Sequence, residues 1–471
     1  MTSMAERLAG LTAQQKRELL AAVLTKKAAR LTAGPARSQA AVVGPAGPTA
    51  VRQGLIPIDF SHPNLEAEVR LDESITFAPL AVERGEPTRL LLTGATGFLG
   101  AFLLAELLER TAATVHCLVR AASADEGLRR IADNLRGFGL WRDRYASRIV
   151  AVPGDLAQPR LGLSEDAFAA LAEAVDAIYH NGAVVNFVFP YHLLRDTNVQ
   201  GTQEVLRLAG HGRTKPVHLI SSVGIFASEG YRGQTVPEEE LPRHGHTLDG
   251  GYAQSKWVAD RIALLARERG LPIAIYRLGL VTGDSRSGTG STDSLVCRLL
   301  KGCVQLGAAP EIDALVEIVP ADFLAAAVVH LSHSGESLGR NFHLVNPRPL
   351  LWNELVDWMR LAGYPLRPLS LSAWKAEIID SARQSADNAM YPLVTLLQEA
   401  GSQEQLLAGA HMPQFSCANM LAGLGGSGIV CPAVDGNLLR AYFSCFVRSG
   451  FISAPPTDEA RPTPETCAAA S

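Results

Sequence analysis

No stretch of this sequence reaches ~18 uninterrupted apolar residues, the length that a membrane-crossing helix needs. The opening "MTSMAERLAG" lacks the apolar region of a secretory signal. Neither sign of charge dominates: 43 basic against 47 acidic side chains leave a net charge of -4, with no basic stripe to grip nucleic acid or an anionic membrane. Cysteine is sparse and scattered, at positions 117, 297, 303, 417, 431, 445 and 467. The odd number and the lack of any C-x-x-C spacing argue against a disulfide framework and a zinc site, and predict buried free thiols and no metal. A cytoplasmic protein with no membrane or nucleic-acid partner is the expectation. What is present is a chain of 471 residues, 47% hydrophobic, long enough to bury two or three structural units.

Residues 1–54 differ from the rest of the chain. "AERLAGLTAQQKRELLAAVLTKKAARL" places Leu8, Leu11, Leu19, Leu20, Val23, Leu24 and Leu31 at helical spacing among Lys16, Arg17, Lys26, Lys27 and Arg30. "TAGPARSQAAVVGPAGPTA" then has the composition of a flexible linker. An amphipathic helix on a tether is either a tail or a docking segment, and both readings stand.

From residue 88 the rhythm changes. "TRLLLTGATGFLG" is an apolar run ending in a glycine-rich turn, and helical spacing comes after it. Gly94, Gly97 and Gly100 form G-x-x-G-x-x-G, which lets a backbone turn tightly, approach a pyrophosphate and pack a helix on a strand. The runs "TVHCLVR", "RIVAVPGD", "DAIYHNGA", "PVHLISS" and "LPIAIYRLG" alternate with helical stretches. That order predicts an α/β fold with a Rossmann-type, doubly wound parallel sheet. An NAD site of this kind carries an acid roughly 20 positions after the turn. Here the second strand ends Val119-Arg120-Ala121, so Arg120, with Arg130 on the next helix, points to the 2′-phosphate of NADP.

"GYAQSKW" sets Tyr252 and Lys256 four residues apart, on one helix face. Such pairs are common by chance. This one gains meaning from "PVHLISS", whose Ser221 and Ser222 fall at the carboxyl end of the fifth strand, where parallel sheets bind ligands.

With "TGATGFLG", "CLVRA", "GDL", "IYHNGAVVNFVFPY", "NVQGT", "SSVGIF", "GYAQSKWVAD", "YRLGLVTG" and "GSGIVCPAVDGNLLRAYFSCFVRSGF", the sequence from about 55 to about 455 resembles the thioester reductase domains of nonribosomal peptide and polyketide synthetases and carboxylic acid reductases, within the extended short-chain dehydrogenase/reductase superfamily. The resemblance implies NADPH-dependent reductive release of an acyl or peptidyl thioester, carried on the phosphopantetheine of a carrier protein in a synthetase module, to an aldehyde or onward to an alcohol. By the same resemblance Ser222, Tyr252 and Lys256 are catalytic, with Ser222 where threonine is more usual and Ser221 an alternative hydroxyl. Lys256 would hold the nicotinamide ribose and draw the phenol of Tyr252 below its usual value of ~10. Thr96, Gly97, Phe98 and Leu99 match the phosphate turn, Asp155 and Leu156 an adenine-side contact, Ala183, Val184 and Val185 a segment beneath the cofactor, and Arg120 and Arg130 the 2′-phosphate site.

Residues 55–282 are thus expected to hold cofactor and catalysis, 283–455 to form a smaller, mostly helical substrate-binding subdomain, and 456–471 a disordered tail. "GESLG" (Gly335–Gly339) fits a nucleophile pattern but comes after a helix and precedes the strand candidate "NFHLVN", the reverse of the required order. "TDSL" (Thr292–Leu295) is similar to a carrier attachment site without a carrier around it, so the acyl chain is expected in trans. Two other functions stay open: an extended dehydrogenase/reductase acting on a free small molecule or acyl-CoA, and a redox-inactive carrier-bound cyclase.

Overall fold

The run Arg89–Thr93 forms strand β1, buried at every position but its first, and its alternation sends Leu91 to one side of a sheet and Leu90 and Leu92 to the other. In this computed structural model residues 63–79, 86–292, 294–385, 387–391 and 412–456 are described. The amino-terminal helix and linker, and residues 457–471 of the tail, lie outside them.

After β1 come helix α1 (Phe98–Arg110), β2 (Thr114–Val119), α2 (Ala124–Gly137), β3 (Ile149–Pro153), α3 (Glu165–Ala174), β4 (Ala177–His180), α4 (Gly201–Gly210), β5 (Val217–Ser222), α5 (Gly251–Glu268) and β6 (Ile273–Leu278). Beyond them lie α6 (Leu295–Leu306), α7 (Ala321–His333), β7 (Asn341–Leu344), α8 (Trp352–Leu361), α9 (Leu371–Gln384), α10 (Ala418–Leu424) and α11 (Gly436–Arg448). The seven strands make one parallel sheet in the order β7-β6-β5-β4-β1-β2-β3. Helices cover both faces, which is why the strands read as apolar runs rather than alternating ones. α1, α2 and α7 close one core, and α3, α4 and α5 the other. A third core joins α6, α8, α9 and α11 around Trp352, Trp374 and Phe443. The chain is therefore a Rossmann-type sheet with a mostly helical carboxyl-terminal subdomain.

The boundary expected at 282/283 does not separate sheet from helices. α7 and β7 lie beyond it, yet β7 pairs with β6, Asn341 opposite Ile275 and Leu344 opposite Leu278, and α7 packs in the α1 core. The edge of β6 carries backbone groups that need partners, and "NFHL" supplies them. In "GESLG" Ser337 is buried and its hydroxyl donates to the Leu331 carbonyl, closing α7 rather than presenting a nucleophile. Ser294 of "TDSL" caps α6, accepting the Cys297 N–H at 3.2 Å. The cysteines among the described residues are all free thiols.

Candidate active site

The strand order reverses between β1 and β4, and the turn after β1 opens at that crevice, the ligand position of doubly wound sheets. Gly94 has φ +77°, and a Cβ there would lie 2.8 Å from the Gly182 Cα. A Cβ on Gly100 would land on the Gly94 carbonyl oxygen, so α1 can approach the turn only without one. Gly97 starts α1 with no side-chain cap, leaving the first N–H groups open to an anion. Asn134 of α2 holds the turn by donating to the Ala95 and Gly97 carbonyls at 3.1 and 3.0 Å. Thr96 and Leu99 flank Phe98, whose ring packs on Phe102 and Phe138. This cradle fits a dinucleotide pyrophosphate.

Arg120 sits exposed at the end of β2, and Arg130 of α2 donates to its carbonyl, so the two cations share one corner. The neighbouring acid, Glu126, is occupied on its own helix end, accepting the Ala122 N–H at 3.0 Å. Asp155 accepts the Ala157 N–H at 3.0 Å in the turn after β3, and Leu156 packs against Gly182.

Ala183, Val184 and Val185 come after β4. Asn198 fixes this strip: its Oδ1 accepts the Val184 N–H at 2.8 Å, and its Nδ2 donates to the Val184 carbonyl and to Ser255 Oγ, both at 3.0 Å. Ser255 in turn donates to the Tyr252 carbonyl at 2.8 Å, tying the strip to α5. Asn198 lies in a π-turn, Asp196–Gln200, a device that re-aims side chains at functional sites. Below it, Thr202 donates to the Asn198 carbonyl, so it accepts from His180 Nε2 at 3.0 Å. His180 Nδ1 is then left to accept from Thr93, whose oxygen takes the Gly182 N–H. Burial, with Lys256 nearby, holds His180 down to about 3 and therefore neutral.

Tyr252 is the second residue of α5 and half-buried, with its ring edge-on to Phe187 at 5.5 Å. Phe187, 39% exposed, forms an apolar lip beside the phenol, and Val185, two residues before it, is 60% exposed. One turn on, Lys256 is buried and its ammonium donates to the Ile220 carbonyl of β5 at 2.7 Å. One turn further, Asp260 is fully buried against Arg277 of β6 in a two-pronged pair, 2.9 and 3.1 Å. Ser221 donates to the same carboxylate at 2.7 Å, so its hydroxyl serves that pair. Ser222, next along the strand, projects the other way, and its oxygen accepts the Gly224 N–H at 3.0 Å.

The expected lowering of the phenol is not what the site shows. Desolvation pushes Tyr252 up to about 12, and the Lys256 ammonium is turned to a backbone carbonyl. Burial also pulls Lys256 down to about 8, against the opposing pull of Asp260. Burial works to raise Asp260, and Arg277, Ser221 and Lys256 outweigh it, so its carboxylate stays ionised.

Sequence reasoning missed Asn134, His180, Asn198, Asp260 and Arg277. Asp260 had a signal, since it stands four residues beyond Lys256 on the face already singled out.

Sheet order, glycine cradle and the Ser/Tyr/Lys edge define an oxidoreductase of the extended short-chain dehydrogenase/reductase superfamily, with an NAD(P)-binding Rossmann fold. Residues 92–328 match the NAD-binding family described as male sterility protein. The terminal R domain from the myxalamid PKS-NRPS biosynthetic pathway, a solved structure, is 45% identical with a TM-score of 0.79, over 83% of this chain and 99% of that one. The chain belongs to the thioester reductase (R) domains of nonribosomal peptide and polyketide synthetases. It is similar to a polypeptide of the linear gramicidin synthase of Brevibacillus parabrevis, 41% identical over 85% of this chain and 8% of that one. It is 37% identical to isonitrile lipopeptide synthase of Streptomyces coeruleorubidus, over 80% of this chain and 26% of that one. This chain thus spans only a small part of those relatives' length. No helix among the described residues is long and apolar enough to cross a membrane, and no metal-binding cluster is found among them.

Proposed function

We propose that this chain binds NADPH and reduces an acyl or peptidyl thioester, held on the phosphopantetheine of a carrier protein in a synthetase module, to an aldehyde and a free thiol. A second round would take the aldehyde to an alcohol. The observation that carries the reading is Tyr252 and Lys256 on one face of α5, against the carboxyl end of β5 where Ser222 stands. Residues 55–282 would hold the cofactor and 283–455, apart from α7 and β7, would shape the acyl site.

NADPH, when bound, supplies the hydride for the carbonyl carbon. Gly94, Thr96, Gly97, Phe98, Leu99 and Gly100 would hold its pyrophosphate, Arg120 and Arg130 its 2′-phosphate, Asp155 and Leu156 its adenine end, and Ala183, Val184, Val185 and Lys256 its nicotinamide ribose half. Tyr252 keeps its proton at neutral pH and donates it to the developing oxyanion. Ser222, with its oxygen already engaged by Gly224, is the second donor. The Lys256 ammonium steadies the charge around the ribose and the phenol.

Incubation with NADPH and a panel of carrier-bound and CoA-bound acyl thioesters, with products identified by mass, tests this. An aldehyde formed faster from the carrier-bound substrate supports it, and a carboxylic acid or no product contradicts it. NADPH should also bind tighter than NADH by about 1–3 kcal/mol, the scale of charged hydrogen bonds, and Arg120→Ala should narrow the gap. Equal affinities in a titration would reject the assigned phosphate corner.

A further inference from the structure

Glu317 takes no part in this chemistry, yet its carboxyl stands at the working edge of the sheet. Ser222 pairs with Leu278 across β5 and β6, and Gly279 is the next residue along. A Cβ on Gly279 would sit 3.1 Å from the Glu317 Oε2, so the missing side chain at 279 makes room for the carboxyl one strand away from Ser222. Glu317 is half-buried. The hydrogen bond that it accepts from the Asn346 N–H is long, at 3.3 Å. Among the described residues no lysine or arginine lies within salt-bridge distance of it.

The groups around it do not offset its charge. Cys417 and Cys431 approach from the segments flanking α10, and burial followed by the negative charges of Glu317 and Asp322 pushes Cys431 up to about 12. Asp322, at the start of α7, is already bonded by Ser285 through N–H and hydroxyl at 3.0 and 2.6 Å. Arg348, beyond β7, is exposed and acts on Cys431. A carboxylate in such surroundings is complementary to a cation brought from outside.

We propose that Glu317 is a specificity residue that receives a protonated amine carried along the acyl chain. This rests on the thioester reductase reading and adds a substrate class to it. Burial raises the Glu317 carboxyl to about 7, partly offset by the Asn346 N–H. The carboxylate therefore forms as pH rises through about 7, and recognition of an amine is present above that pH and lost below it. The amine itself stays charged throughout, with a reference value of ~10.4 for an alkylammonium.

The test compares pantetheine thioesters of ω-amino acids of increasing length with alkanoyl thioesters of matched heavy-atom count. At pH 8 at least one aminoacyl thioester should be preferred about tenfold or more in kcat/KM, equivalent to about 1.4 kcal/mol. The preference should shrink below pH 7. It should collapse in Glu317→Gln and survive in part in Glu317→Asp. A ratio indifferent to pH in the wild type overturns the proposal, whether or not the Gln variant folds. So does a preference for the alkanoyl thioester at every length. If neither series is reduced, the reductase reading fails, and calorimetric binding of the same matched pairs then decides the role of Glu317 by the same criteria.

Discussion

On the proposed function, Tyr252 and Lys256 would divide the proton work of the site between them. Burial holds the phenol at about 12, so it is a donor at every pH in ordinary use, whereas the ammonium, lowered to about 8, is the group that titrates. The alkaline limb of kcat/KM should therefore have an apparent pKa near 8 and belong to Lys256. Lys256 itself does not destabilise the fold over such a limb. The folded value of Lys256 lies below its unfolded value of 10.5, so the folded state binds fewer protons between 8 and 10.5. The stability penalty from this group is full below pH 8 and lifts as pH rises. Circular dichroism should stay constant while activity falls, and activity flat to pH 10 would reject the assignment. Tyr252→Phe should lower turnover about 10²–10³-fold with NADPH affinity nearly unchanged, by the scale of lost oxyanion donors. Retained turnover would show that another group is the acid. The Tyr/Lys pair was legible from its spacing only once Ser221 and Ser222 placed it beside a strand end, and the direction of the phenol shift was not legible at all. It depends on how α5 is buried and on the Ile220 carbonyl that draws the ammonium, neither of which is local in sequence.

The phosphate turn and α1 act as one element. Gly100→Ala would push a methyl group onto the Gly94 carbonyl, so the start of α1 must move away and its open N–H groups lose their aim. The variant should bind NADPH about tenfold weaker or worse, about 1.4 kcal/mol, while the α1 core keeps its far-ultraviolet spectrum near wild type. An unchanged Kd by fluorescence titration would show that the pyrophosphate sits elsewhere. Elements of this kind were the most readable. A parallel strand is buried on both faces and announces itself as an apolar run, and a glycine turn between such a run and a helix has few other uses. β7 was harder. "NFHLVN" reads as a strand, but nothing nearby says that it returns to β6 after the excursion through α6. Arg277 was silent for a similar reason, and Asp260, although its spacing from Lys256 marked its face, gave no sign of its partner: each looks like an ordinary charge until tertiary packing removes both from water. Once buried they depend on each other, since a buried charge without its partner costs several kcal/mol.

Across the whole molecule, the helical part is fastened to the sheet's working edge by a few polar contacts. Tyr442 of α11 bonds the Thr282 hydroxyl and the Gly283 carbonyl at 2.8 and 3.0 Å, and Gly290 in the same loop lies against the Phe98 ring. Asp322 at the head of α7 holds Ser285 in that loop. Phosphate turn, loop and helical subdomain thus meet beyond the carboxyl end of β6, and on the proposed function the acyl chain would enter there. On the proposed function, this edge delivers a hydride to a thioester carbon. The most direct measurement of that step uses NADPH carrying deuterium at both hydrogens of the nicotinamide C4 with a carrier-bound acyl thioester, followed by mass analysis of the released product. An aldehyde bearing one deuterium on its carbonyl carbon is expected. Release of unlabelled aldehyde, or of a carboxylic acid without NADPH consumption, would contradict the proposed hydride transfer.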